Sequence, residues 1–92
     1  MDIKGIVHFI GETIAVSDTF KKRELIVEII ENPQYPEFVK FEAIQDKVSL
    51  LDGLSVGENV EVYFNLKGRE WKNKEGVAQY FNALHVWKVV KI

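Results

Sequence analysis

Phe38-Val-Lys-Phe-Glu-Ala43 runs directly into Ile44-Gln-Asp-Lys-Val-Ser-Leu-Leu-Asp-Gly53, and the change of period between them decides the fold. In the first segment Val39, Phe41 and Ala43 alternate with Phe38, Lys40 and Glu42, the repeat of a strand with one buried face. In the second, Ile44, Val48 and Leu51 recur at helical spacing, and Gly53 is placed to stop a short helix just after Asp52. A helix thus interrupts a chain that otherwise reads as strands.

Upstream, residues 3–10 form a β-branched run with a bend expected at Gly5. Residues 11–20 extend it before turn-forming residues. Glu24 to Glu31 reads as the second strand, with Leu25, Val27 and Ile29 inward and Ile26 and Ile30 among the outward residues. Asn32-Pro-Gln-Tyr-Pro36 is a turn, because two prolines fix φ and remove ladder donors. Downstream, Val60, Val62, Phe64 and Leu66 alternate along a fourth strand, with Tyr63, Asn65, Lys67 and Arg69 opposite. Residues 77–90 form a long fifth strand, in which a bulge near Asn82 or Ala83 would reconcile Tyr80-Phe81 with Val86-Trp87. An all-β chain of five strands, with one short helix between strands three and four, has the order of the OB-fold, a Greek-key barrel. Residues 1–92 read as a single such domain, since this length supports one core.

The ligand face of that fold lies on strands two and three, flanked by the loops joining strands one to two and four to five. Two basic clusters fall in the segments expected as those loops: Phe20-Lys-Lys-Arg23 and Lys67-Gly-Arg-Glu-Trp-Lys-Asn-Lys74. Lys and Arg neutralise phosphates, and a flat ring takes a base. The competing reading is that Trp71 folds back on the core and the cations only solvate the loop. Phe38 and Lys40, outward on strand three, stand where a stacking platform would be. An apolar self-association patch with Ile26 and Ile30 is the equal alternative there.

The formal charge is −2, which argues against a domain basic all over, but fields are screened beyond about 10 Å at 0.1 M salt, so local clusters decide. No cysteine is present, which excludes disulfides and thiolate metal sites. No apolar run has membrane-spanning length, and the first residues lack a signal peptide's pattern, so a cytoplasmic protein with no membrane partner is expected. Gly53-Leu-Ser-Val-Gly57 matches G-x-S-x-G, yet a helix precedes it and a strand follows, the reverse of a nucleophile elbow. His8 and His85 lie alone in strands with no second ligand nearby in sequence. No metal, cofactor or catalytic residue is expected. His85 on the ligand face would meet a base or a phosphate, and Tyr63 and Trp87 read as packing or subunit-contact residues.

Tyr35-Pro36, Val39, Phe41, Asp46-Lys47, Val56-Gly-Glu-Asn-Val60, Arg69-Glu-Trp71 and Ala83-Leu-His-Val-Trp-Lys-Val89 together resemble a family of small uncharacterised OB-fold domains of Bacteroidetes and their phages. That family is similar to single-stranded DNA-binding proteins. The resemblance implies non-enzymatic binding of single-stranded DNA, RNA ranking second, and a homo-oligomer, first a dimer. Bacterial single-stranded DNA-binding proteins usually end in an acidic partner-recruiting tail. The last residues here, Val89-Val-Lys-Ile92, read as strand, so recruitment through such a tail is not expected. Lys21, Lys22, Arg23, Lys67, Arg69, Lys72 and Lys74 would track phosphates, and Phe20, Phe38 and Trp71 would stack, with Lys40 beside them. The alternative is a protein-interaction or oligomerisation module without nucleic acid.

Overall fold

The strands close on themselves through one glycine. In the computed structural model, which describes residues 1–92, β1 (Asp2–Ile10) pairs antiparallel with β5 (Asn59–Lys72) through residues 2–6 and with β3 (Phe20–Ile29) through residues 6–10. Gly5 sits at this crossing. A Cβ there would collide with Val27 Cγ1 and stand 2.6 Å from the Glu28 carbonyl oxygen, so only glycine lets the strands meet. The bend expected at Gly5 is accompanied by a bulge at His8, where β1 steps from Val7 to Phe9 while β3 moves one residue.

The remaining elements are β2 (Ile14–Ser17), β4 (Glu37–Ile44), a 3₁₀ helix (Gln45–Leu51) and β6 (Ala78–Lys91). The sheet order is β1-β5-β6-β4-β3-β2, closed by the β1–β3 pairing. Five strands build the expected OB barrel, and β2 is a sixth, short strand forming a hairpin with β3. The helix lies between the third and fourth barrel strands, as the period change requires. It is 3₁₀ rather than α, and at three residues per turn its two buried side chains, Val48 and Leu51, line up on one side. They join Val7, Leu25, Val27, Ile29, Phe41, Ala43, Val60, Val62 and Val86 in an entirely apolar interior. No helix is long and apolar enough to cross a membrane.

Three expectations about the last hairpin need correcting. Residues 67–72 are strand, not loop: β5 and β6 pair continuously from Lys72↔Ala78 back to Phe64↔Val86. The bulge lies at Trp87, where β6 steps from Val86 to Lys88 while β5 moves only from Phe64 to Tyr63. Tyr80 and Phe81 require no bulge, because this part of the hairpin is exposed on both faces. Leu66, expected inward, is exposed for the same reason. The arm stretches the molecule to 46 × 35 × 19 Å and a radius of gyration of 14.8 Å, against about 12 Å for a compact chain of this length.

Candidate nucleic-acid interface

Alternation along the β5–β6 arm sorts its side chains onto two faces. Lys67, Arg69 and Trp71 share one face with their partners Ala83, Phe81 and Gln79, and Asn65 continues it beside His85. The Arg69 guanidinium lies 5.5 Å from the centroid of the Phe81 ring, a cation–π contact. The arm ends in a tight turn. Asn73 Oδ1 accepts hydrogen bonds from the backbone N–H groups of Glu75 (2.9 Å) and Val77 (3.0 Å), and Gly76 takes the positive φ of 80° that closes it.

The first basic cluster is also strand. Residues 20–23 begin β3, and β2 returns along them through Ile14↔Lys22 and Ser17↔Phe20. Gln45, at φ 56°, anchors this hairpin: its Nε2 donates to the Thr19 carbonyl (2.7 Å) and its Oε1 accepts from the Lys21 N–H (3.2 Å). Phe20 is thereby held between two fastened residues.

The two clusters meet. Phe20 and Lys22 from β3, Glu42 from β4, Lys67, Gly68 and Arg69 from β5, and Phe81, Asn82, Ala83 and His85 from β6 line one groove of about 530 Å³. That size falls in the range of small-ligand sites, ~300–1,000 Å³. Lys40 lines an adjoining depression with Glu42, Leu66, Asn82, Ala83 and Leu84. Trp71, Lys72 and Lys74 line a separate concavity at the arm's tip, together with Asn73 and Glu75. Trp71 does not fold back on the core: it is 48% exposed. Lys72 points to the other face of β5 and stands 3.7 Å from Glu70.

Three further expected residues line neither the groove nor the two concavities beside it. Lys21 alternates with Lys22 and faces the other way. Phe38 is the second residue of β4, about 13 Å along the strand from Glu42, with its ring tilted against His8 at 4.7 Å. Arg23 corrects the reading of a three-cation run. Its Nε donates to the Gly11 carbonyl (2.7 Å), its Nη1 to the Val48 carbonyl (3.3 Å) and to Asp52 Oδ1 (2.6 Å), and its side chain is only 18% exposed. Its guanidinium is used inside the fold.

Sequence reading did not find Phe81, Glu42 and Asn82. Phe81 was legible in principle: in a two-residue-period hairpin Tyr80-Phe81 must put one ring on each face. Glu42 and Asn82 carried no such signal, since an acid and an amide on exposed strand positions are commonplace.

A family model described as "Domain of unknown function (DUF3127)" matches residues 2–90. No curated protein matches the sequence. Among solved structures, the mitochondrial single-stranded DNA-binding protein Rim1 of S. cerevisiae is similar with a TM-score of 0.70 at 12% identity, covering 100% of this chain and 92% of that one. The SSB of Plasmodium falciparum, solved in complex with ssDNA, is similar with a TM-score of 0.60 at 13% identity, over 100% of this chain and 92% of that one. At such identities the likeness is one of fold.

Proposed function

The chain belongs to the DUF3127 family, and on that premise we propose that it is a non-enzymatic binder of single-stranded DNA, reading no extended sequence motif. The observation that carries this is the convergence of Phe20 and Lys22 with Lys67, Arg69 and Phe81 on one groove, from strands distant in sequence. Lys22, Lys67 and Arg69 neutralise phosphates at its rim, and Phe20 and Phe81 offer rings to bases. Trp71, Lys72 and Lys74 extend the track along the arm. Lys40 and then Phe38 extend it along β4, while Lys21 adds charge from the side. Strand preference follows because an unpaired base exposes its π-face and a duplex hides it. The likeness in fold to two single-stranded DNA-binding proteins supports the reading. Its place would be replication, recombination or repair in the cytoplasm, with DNA before RNA.

The test is a titration of labelled single- and double-stranded oligonucleotides at two salt concentrations. Tighter binding to the single strand, weakening as salt rises, is the expected result. Equal affinity for the duplex, or no binding at low salt, overturns the proposal.

A second reading has its own observation. Phe9 and Ile26 are cross-strand partners on the outer face, Phe38 lies on the next strand of that face, and Phe9, Phe38 and Ile30 are all exposed. Such a strip suits contact between two copies, a dimer first. A tight oligomer in sedimentation, with no oligonucleotide binding even at low salt, would favour self-association as the whole function.

A further inference from the structure

We propose that the groove reads the edge of the base it receives. Glu42, with His85 beside it, accepts hydrogen bonds from the exocyclic amino group of cytosine, adenine or guanine and so discriminates against thymine. This rests on the single-strand reading above and adds a base preference to it.

A carboxylate is out of place on the floor of a phosphate-binding groove. Glu42 lines this one among Lys22, Lys67 and Arg69, with its side chain 20% exposed. Its cross-strand partner is Glu24, a like charge directly opposite. No lysine or arginine lies within 4.0 Å of it, and His85 Nε2 stands 4.0 Å away, longer than a hydrogen bond. A phosphate is therefore repelled from this floor and held at the cationic rim, and the base points inward. The rings of Phe20 and Phe81 fix the plane of that base.

What the base edge then meets is a set of unspent polar groups. The molecule's side-chain hydrogen bonds lie elsewhere and use neither Glu42 nor His85. An ionised carboxylate only accepts, and an imidazole ring carries a donor or an acceptor at each nitrogen. Asn82 is set apart: a Cβ on Gly68 would project away from Lys67 and Arg69 and stand 3.3 Å from Asn82 Oδ1, so the amide lies on the other face of the arm, at the groove's edge. Cytosine, adenine and guanine each present an amino group to the carboxylate. Thymine flanks its single N–H with two carbonyl oxygens, which face the carboxylate acceptor to acceptor. Phosphate and ring contacts are indifferent to this difference, so the discrimination belongs to the floor.

The experiment compares dC, dA and dT homo-oligomers of one length at one salt concentration. The expected result is that dC binds about fivefold or more tighter than dT, the low end of what one good base-edge pair discriminates. Glu42→Gln, checked for folding by its thermal melt, should bring the two affinities together. An oligonucleotide of N4,N4-dimethylcytosine, which lacks the amino hydrogens, should lose the advantage on the unaltered protein. Equal dC and dT affinities, or a dC advantage that survives the methylated base, overturn this inference alone. Failure to bind any oligonucleotide at low salt overturns the parent reading with it.

Discussion

Arg23 Nη1 lies 2.6 Å from Asp52 Oδ1, and this pair fastens the start of β3 to the residue that ends the 3₁₀ helix. The same guanidinium reaches the Gly11 and Val48 carbonyls, so one side chain ties together the end of β1, the third element and the helix. Arg23→Ala should lower stability by about 1.5–3 kcal/mol, the range for hydrogen bonds that involve a charged group. Lys22→Ala, one residue away and facing the groove, should stay within about 0.5 kcal/mol. Arg23→Lys should not rescue, since an ammonium lacks the fork that serves three acceptors. Denaturant unfolding of the three variants is the check.

The same neighbours should separate in the opposite sense in binding. Single strands release about 0.7 counterion per neutralised phosphate, so Lys22→Ala, Lys67→Ala and Arg69→Ala should each reduce the slope of log affinity against log salt by about 0.7. Arg23→Ala, measured well below its melting temperature, should leave the slope unchanged. A slope change at Arg23 equal to that at Lys22 would place both in the phosphate track.

Trp71 and Trp87 are the two tryptophans, both partly exposed, but only Trp71 stands on the arm face that continues the groove. Emission of a Trp87→Phe variant should be quenched by oligothymidylate, and that of Trp71→Phe should not. Trp71→Ala should weaken binding by roughly 1–3 kcal/mol, the worth of one stacked base. Quenching that survives Trp71→Phe would move the contact to the Tyr63–Trp87 pair, whose ring centroids are 5.4 Å apart.

Gly5→Ala should damage the fold without touching the groove. The added methyl meets Val27, wholly buried, and the Glu28 carbonyl, both on the strand that closes the barrel. Overpacking of this kind costs about 1–3 kcal/mol. The melting temperature should fall while the affinity of the folded fraction is kept.

Tyr63 gives the molecule a high-pH signature. Its hydroxyl donates to Glu61 Oε1 at 3.0 Å, and this bond, partial burial and the charges of Glu61 and Asp2 raise its pKa above the ordinary 10.0. The raised folded-state value means that the neutral phenol stabilises the fold. That contribution is complete below pH 10.0 and is lost as pH climbs through the raised value. An absorbance titration of Tyr63→Phe should therefore lack a tyrosinate step that the unaltered chain shows above pH 10.0. Stability of that variant should fall less above pH 10.0 than that of the unaltered chain.

Much of the architecture was legible because it is local. The two-residue repeat of β3, β4 and the first half of β5 picked out Leu25, Val27, Phe41, Val60 and Val62, all of which are buried. The switch at Ile44 located the helix, because a strand cannot bring Val48 and Leu51 to one side. The hairpin arm was misread as a loop because Lys67-Gly-Arg-Glu-Trp-Lys has no apolar alternation. An exposed two-stranded arm needs none, being held by backbone pairing and by the turn that Asn73 and Gly76 close. The position of the bulge at Trp87 was equally hidden, since it depends on how β5 and β6 register, not on either strand alone.

Unaided, the sequence determined the succession of the five barrel strands, the helix between the third and fourth of them, most of the core, and the presence of two clusters of cations and rings. Tertiary structure alone decided which members of those clusters act together. Lys22 faces the groove and Arg23 the interior although they are adjacent, and Glu42 enters the site from a strand where nothing marked it. The reason is physical. Alternation sorts side chains onto two faces, but which face looks into a groove depends on closure between strands tens of residues apart, and no local pattern encodes that pairing.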